Sequence, residues 1–122
     1  MKKKVLVIDD DMDILDLTKL ALNTDYEVIS QSFCSDIQEI CELFQPDLVL
    51  IDLKLPDSDG YQLCSQIRAF NKDLPVILMT GVELRALKNN YPIVEANDYL
   101  LKPFQIEELR ERVEKVLRIS LE

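Results

Sequence analysis

The chain has 122 residues, of which 48% are hydrophobic and 30% charged, the composition of one soluble globular domain of ordinary size. Its formal net charge is −9 with no compensating basic block, so we expect no direct nucleic acid binding through the phosphate backbone. Histidine is absent, which excludes histidine metal sites and catalysis by Ser-His-Asp or Cys-His groups.

Apolar runs and cysteines bear on the cellular compartment. No apolar run reaches the roughly 18 residues of a membrane span, and residues 1–4 lead into a short strand rather than a signal-peptide core. We therefore predict a cytoplasmic protein without membrane contact. Cys34, Cys41 and Cys64 are odd in number and lack a C-x-x-C pair, so we interpret them as small buried thiols.

The first predicted element is an apolar strand, Val5–Ile8, which is followed by Asp9, Asp10 and Asp11. The spacing of apolar residues then predicts a helix over residues 13–23. Acid near a helix N-terminus is stabilising by roughly 0.3–1 kcal/mol, which accounts for the aspartates closest to the helix. It accounts poorly for Asp9 and Asp10, because adjacent like charges repel unless a cation joins them.

A short strand, Tyr26–Ile29, is predicted next, followed by a helix over Ser35–Phe44 with Ser35 as its N-cap. The third strand, residues 47–52, is an apolar run of the kind that is buried on both faces of a sheet, and it ends directly in Asp52. A single aspartate at a strand end most often caps the turn that follows. The function of Asp52 therefore depends on what the rest of the chain places beside it.

The same patterns give the remaining elements: a turn cluster at 56–60, a helix over Gly60–Phe70, strands over Pro75–Met79 and Asp98–Leu101, and a last helix from about Gln105. The fourth strand is followed by Thr80 and the fifth by Lys102. Between them, residues 82–96 carry a weak helical pattern that Pro92 interrupts.

Alternation of apolar strands with helices predicts an α/β fold with a parallel sheet covered on both faces. The length suits a doubly wound, flavodoxin-like (βα)5 domain of strand order 2-1-3-4-5. In that order the first and third strands are neighbours, which brings Asp9 and Asp10 beside Asp52. The fourth and fifth strands place Thr80 and Lys102 at the same carboxyl edge.

Three carboxylates, a hydroxyl and an ammonium thus converge from four strand ends. Clustered carboxylates need a cation, and oxygen ligands without histidine or cysteine favour a hard ion such as Mg²⁺. Lys102 adds one positive charge and Thr80 one donor. These groups together suit a site that holds a phosphoryl group on an aspartate nucleophile.

At this point the chain resembles a known family, the receiver domains of two-component response regulators (the CheY-like superfamily). The resemblance spans residues 1–122 as a single domain, and no one motif would carry it alone. It rests on Asp9-Asp10 after the first strand, Asp52 in D-L-K-L-P-D-S-D-G, Thr80 after the fourth strand, and Tyr99-Leu100-Leu101-Lys102-Pro103-Phe104.

The resemblance implies that Asp52 accepts the phosphoryl group. It implies that Asp9 and Asp10 hold Mg²⁺ together with Asp52 and the backbone carbonyl of Lys54. Lys102 would pair with the acid cluster or the phosphate, and the Lys102–Pro103 peptide bond would be cis.

Thr80 and Tyr99 would be the switch pair that reports phosphorylation to the surface of the last two strands and their flanking helices. The implied phosphodonor is a partner histidine kinase or histidine phosphotransfer protein, since this chain has no histidine. An output domain, a target protein and a homodimer are left open. The domain would catalyse only its own phosphorylation and dephosphorylation, so we do not expect an enzyme in the usual sense.

Two alternatives are weaker. A phosphorylation-independent interaction module of the same family typically lacks an acid, the phosphoacceptor or the lysine, and none is missing here. A haloacid dehalogenase-type phosphatase would use the D-x-D of Asp9–Asp11, but residue 13 is aspartate where that family has Thr or Val, and there is no room for a cap domain. Gly81, Pro92 and Glu95 depart from the receiver pattern and bear on the signalling surface rather than the phosphorylation site.

Overall fold

The computed structural model describes residues 2–81 and 96–120, so the expectations that concern Pro92 and Glu95 lie outside the described residues. Five strands and four helices make up the described part: β1 (Lys3–Ile8), α1 (Met12–Leu22), β2 (Tyr26–Gln31), α2 (Ile37–Phe44), β3 (Leu48–Asp52), α3 (Gly60–Phe70), β4 (Val76–Thr80), β5 (Asp98–Leu101) and α4 (Ile106–Ser120). None of these helices combines the length and the apolar character needed to span a membrane.

The strands form one parallel sheet in the order β2-β1-β3-β4-β5, which confirms the predicted doubly wound topology. Ile8 lies opposite Ile51, and Asp52 lies opposite Met79. The carboxyl ends of β1, β3 and β4 are therefore level with one another. Residues that follow these strands meet at one edge, although they are far apart in sequence.

The sheet separates two hydrophobic cores. Val49 and Ile51 point into the core beneath α2 and α3, whereas Leu48 and Leu50 point into the core beneath α1 and α4. All residues of β3 and β4 are buried, because helices cover both faces of the sheet. Because both faces of these strands are buried, their sequences are continuous apolar runs rather than an alternation of apolar and polar residues.

One predicted boundary is wrong in an informative way. Ser35 is not the N-cap of α2; the cap is Asp36, in extended conformation, and its Oδ1 accepts a hydrogen bond from the backbone N–H of Glu39 at 3.1 Å. The helix consequently begins at Ile37, which packs inward together with Cys41 one turn later. Aspartate and serine are about equally good caps, so the inward packing decides between the two positions.

The three cysteines are buried and none forms a disulfide, which agrees with the prediction of small buried thiols. Burial raises the pKa of the Cys41 thiol to about 11. The thiols therefore act as small apolar groups of the core rather than as nucleophiles.

Candidate functional site

Asp9 follows β1 and is fully buried. Its Oδ2 accepts a hydrogen bond from the Lys102 ammonium at 2.6 Å, and its Oδ1 accepts one from the backbone N–H of Asp11 at 2.9 Å. The backbone N–H of Asp9 donates to the Gln31 carbonyl at 3.1 Å, which continues the pairing of β1 with β2. An ionised carboxylate can stay buried only with such partners, so Asp9 is held in one orientation.

Lys102 connects Asp9 to Asp52. Its Nζ lies 3.4 Å from Asp52 Oδ2, so one ammonium contacts two carboxylates. The backbone of Lys102 is anchored by its N–H, which donates to the Thr80 carbonyl at 2.6 Å. The Lys102–Pro103 peptide bond is cis, as the resemblance implied. The lysine is thus fixed at both its backbone and its charged end.

Asp10 completes a cluster of three carboxylates with Asp9 and Asp52. Each offers one oxygen, and these oxygens lie within 4.8 Å of one another. In an octahedral Mg²⁺ site with bonds of about 2.1 Å, ligand oxygens are about 3.0 Å apart when adjacent and about 4.2 Å apart when opposite, so the three carboxylates would have to draw closer together to hold one ion. The donor set is entirely oxygen, and Asp10 is exposed, which leaves the cluster open to solvent on its side. These residues fit a hard divalent cation.

The pKa of Asp52 depends on its burial and on the charges around it. Burial raises this pKa above its ordinary value of 3.8, and the negative charge of Asp9 raises it further. Lys102 and the backbone N–H of Lys54, 3.4 Å from Asp52 Oδ1, act in the opposite direction without cancelling the rise. One lysine therefore does not neutralise the site, and a further positive charge would be stabilising.

The loop after β3 folds back against the phosphoacceptor candidate. Lys54 and Asp59 form an isolated antiparallel bridge, and the backbone N–H of Gly60 donates to the Leu53 carbonyl at 2.9 Å. A Cβ on Gly60 would lie 2.8 Å from the carbonyl oxygen of Asp52 and 3.0 Å from Leu53 Cα. The sequence pattern of the turn includes Gly60, but it did not show that this glycine packs against the backbone of Asp52.

Thr80 and Tyr99 lie on neighbouring strands. Tyr99 is opposite Leu78, and alternate residues of a strand share a face, so Thr80 and Tyr99 project from the same face of the sheet. Thr80 is buried, whereas Tyr99 is half-buried and packs against the core that contains Cys64. Burial raises the pKa of Tyr99, with a smaller contribution from Cys64.

Sequence reasoning missed one contact beside Tyr99. Arg112 of α4 binds both carboxylate oxygens of Asp98, at 3.0 and 3.1 Å, and also donates to the Tyr99 carbonyl at 3.3 Å. The pair ties the last helix to β5. No sequence signal distinguished Arg112 from the other charges of mixed sign on this helix.

Comparisons with known proteins agree with this geometry. The family profile described as response regulator receiver domain matches residues 5–114. The chain is 36% identical to the transcriptional regulatory protein KdpE of Staphylococcus aureus (strain NCTC 8325 / PS 47), covering 98% of this chain and 52% of KdpE. It spans about half the length of the curated relatives it matches.

Two solved structures match this chain over nearly their whole length. A CheY-like response regulator receiver domain protein from Methanospirillum hungatei JF-1 matches with a TM-score of 0.85 at 29% identity, covering 98% of this chain and 97% of that one. The receiver domain of the sensor histidine kinase PA1611 from Pseudomonas aeruginosa PAO1 matches with a TM-score of 0.85 at 26% identity, covering 96% and 98%. That structure has a magnesium ion coordinated in its active site cleft.

The two glycines of the chain make a matched pair for testing the loop. Gly60→Ala should lower the free energy of unfolding by about 1–3 kcal/mol, because its Cβ meets backbone atoms that cannot move aside easily. Gly81→Ala should be close to neutral, since a Cβ there has nothing within 4 Å. Urea denaturation of both variants measures the difference. An equal loss of unfolding free energy in the two variants would show that a Cβ at position 60 is not crowded by the backbone of Asp52 and Leu53.

The raised pKa of Asp52 predicts a pH-dependent stability in buffer without divalent cations. The native state binds this proton more tightly than the unfolded chain, so stability falls as pH rises from about the ordinary value of 3.8 through the raised native pKa. Asp52→Asn does not titrate and should be more stable than wild type at neutral pH, by on the order of 1 kcal/mol.

Thermal melts across a pH series measure this difference, with the exposed Asp73→Asn as the control that should follow wild type. The advantage of Asp52→Asn should shrink towards acid pH. A constant advantage, or a wild type that is the more stable protein at neutral pH, would contradict the assigned direction.

Proposed function

The chain belongs to the response regulator receiver domain family of two-component systems, and on this premise we propose that it is a phosphoaspartate switch with Asp52 as the phosphoacceptor. The observation that carries the proposal is the single ammonium of Lys102 in contact with both Asp9 and Asp52 inside a cluster of three carboxylates. The three carboxylates of such a cluster repel one another unless a cation in addition to Lys102 joins them.

The phosphodonor in this proposal is a histidine kinase or histidine phosphotransfer protein, since the chain has no histidine. An oxygen of Asp52 attacks the phosphorus of the donor's phosphohistidine, the P–N bond breaks, and the imidazole nitrogen takes up a proton. Asp52 becomes an acyl phosphate. Lys102 offsets negative charge on the transferred group, because its ammonium already lies 3.4 Å from the attacking carboxylate.

Mg²⁺ would be held by the carboxylates of Asp10 and Asp52 and by the backbone carbonyl of Lys54, with Asp9 completing the set. Asp9 would also orient Lys102 and the turn into α1, since its two oxygens accept hydrogen bonds from the Lys102 ammonium and the Asp11 backbone N–H. When bound, the ion supplies positive charge for the phosphoryl oxygens. Burial and the negative charge of Asp9 together raise the pKa of Asp52, which supports a need for that charge.

The signal leaves the site through Thr80 and Tyr99 in this proposal. They share a face of the sheet, so a phosphoryl oxygen that draws the Thr80 hydroxyl towards Asp52 opens space along the same face for the Tyr99 ring. The output surface comprises β4, β5, α4 and the segment between the two strands. Arg112 and Asp98 lie on this surface and hold the backbone of Tyr99.

Receiver domains of response regulators are not enzymes in the usual sense, and we propose that this one catalyses only its own phosphorylation and dephosphorylation. Residues 1–122 form a single receiver domain that works in the cytoplasm. Because the chain spans about half of its curated relatives, an output domain or a separate target protein would receive the signal. The phosphorylation-independent alternative gains no support, since all the acids and Lys102 are in place.

The acceptor assignment predicts one acid-stable, base-labile phosphoryl group per chain after incubation with Mg²⁺ and acetyl phosphate. Intact-mass spectrometry should show the gain in wild type and its complete loss in Asp52→Asn. Asp57→Asn, an exposed acid of the same loop, is the control and should be labelled like wild type. Labelling of the Asp52→Asn protein at the wild-type level would refute the assignment.

Metal binding and stability should be linked through the cluster. Because Mg²⁺ binds the native state only, it should raise the melting temperature, with a stabilisation of about 2.7 kcal/mol at 100 times its dissociation constant. Asp10→Asn should be more stable than wild type without metal and should lose most of the Mg²⁺ effect. Asp16→Asn, an exposed acid on α1, should retain it. Equal Mg²⁺ shifts in the two variants would argue against the cluster.

A further inference from the structure

One side of helix α3 faces β5. Cys64 and Arg68 are four residues apart, so they lie on the same side of the helix. The guanidinium of Arg68 donates to Asn97 Oδ1 at 2.9 Å, and Asn97 lies one residue before β5 begins. The side of α3 that carries Cys64 therefore faces β5, whereas Phe70, on a different side, lines a cavity together with Cys41 of α2.

The contact of Arg68 with Asn97 sets the register between α3 and Tyr99. A helix that connects two parallel strands runs antiparallel to them, so α3 and β5 run in opposite directions. The step from Arg68 back to Cys64 covers four residues of helix, about 6 Å. The step from Asn97 to Tyr99 covers two residues of extended chain, about 6.6 Å. Both steps lead towards the carboxyl edge of the sheet, so this register places Cys64 beside Tyr99.

The surroundings of Tyr99 agree with this register. Cys64 is completely buried, and Tyr99 is half-buried against the hydrophobic core that contains Cys64. Burial is the largest cause of the raised pKa of Tyr99, and Cys64 is the next. Leu78, which pairs with Tyr99 in the sheet, lies on the same face as Thr80. The ring of Tyr99 is thus bordered by β4 and by the small side chain of Cys64.

We propose that Cys64 is a positioning residue of the switch, because its small side chain leaves the space into which the ring of Tyr99 moves on phosphorylation. This inference rests on the proposed function. Tyr99 is only half-buried, so its ring can still lose exposed surface, and burial of an aromatic ring is favourable. Because coupling between two events is reciprocal, a change that makes burial of the ring easier also favours the phosphoryl group on Asp52. A bulkier residue at position 64 opposes both.

The test changes the size of residue 64 and measures the affinity for beryllofluoride, a mimic of the phosphoryl group, in saturating Mg²⁺. Cys64→Ala enlarges the space beside Tyr99, and Cys64→Val reduces it. Cys41→Ala and Cys41→Val are the matched controls, since Cys41 is also buried in this core but lies on α2. Each protein carries 3-fluorotyrosine, and the variant Tyr99→Phe identifies the resonance of Tyr99. Fluorine NMR then reports both the bound beryllofluoride and the surroundings of the Tyr99 ring.

We expect Cys64→Val to raise the dissociation constant of beryllofluoride about five-fold and Cys64→Ala to lower it, with the Tyr99 resonance shifted in opposite directions in the two variants. Both substitutions disturb the packing of the core, so a purely structural role would weaken binding in both. The Cys41 variants should bind like wild type.

Dissociation constants that equal wild type, or that rise in both Cys64 variants, would overturn the role of Cys64, and so would the same changes in the Cys41 variants. Should Cys64→Val not fold, a dissociation constant that is not lowered in Cys64→Ala overturns the role by itself. A wild type that does not bind beryllofluoride would instead overturn the proposed function.

Discussion

The contact of the Lys102 ammonium with Asp9 and Asp52 is the interaction on which the rest of the site depends. Asp9 is completely buried and Asp52 nearly so, and two carboxylates at such close range repel strongly where water is excluded. Lys102 makes this arrangement tolerable, at 2.6 Å from one acid and 3.4 Å from the other. Burial and the negative charge of Asp9 still hold the pKa of Asp52 above its ordinary value, in spite of Lys102. The residual negative charge is what prepares the site for a cation.

The sheet topology supplies the geometry that this interaction needs. The order β2-β1-β3-β4-β5 makes β1 and β3 neighbours, so Asp9 and Asp52 meet despite the long stretch of chain between them. Lys102 arrives from β5, two strands away from β3, and the hydrogen bond of its backbone N–H to Thr80 fixes where its side chain begins. The same strand pairing places Thr80 and Tyr99 on one face. The acid cluster and the proposed switch pair are thus positioned by the same sheet.

Much of this could be predicted from the sequence because the decisive signals are local. The apolar runs that lead directly into Asp9 and Asp52 identify two of the strands. The alternation of strands and helices then predicts the order of the strands in the sheet. What could not be predicted depends on three-dimensional packing. The choice of Asp36 over Ser35 as cap of α2 is decided by which residues face the core. The contact of Arg112 with Asp98 and the Tyr99 carbonyl joins two elements whose relative position the sequence pattern does not specify.

The most direct test of a phosphoaspartate switch is fluorine NMR of the protein with beryllofluoride, which mimics a phosphoryl group on an aspartate. A phosphoaspartate switch at Asp52 should give a protein-bound fluorine signal that requires Mg²⁺ and is absent in Asp52→Asn. The signal should be strongly weakened in Lys102→Ala, which removes the ammonium that contacts Asp52. A bound signal that persists without Mg²⁺ or in Asp52→Asn, or no bound signal for wild type with Mg²⁺ present, would contradict it.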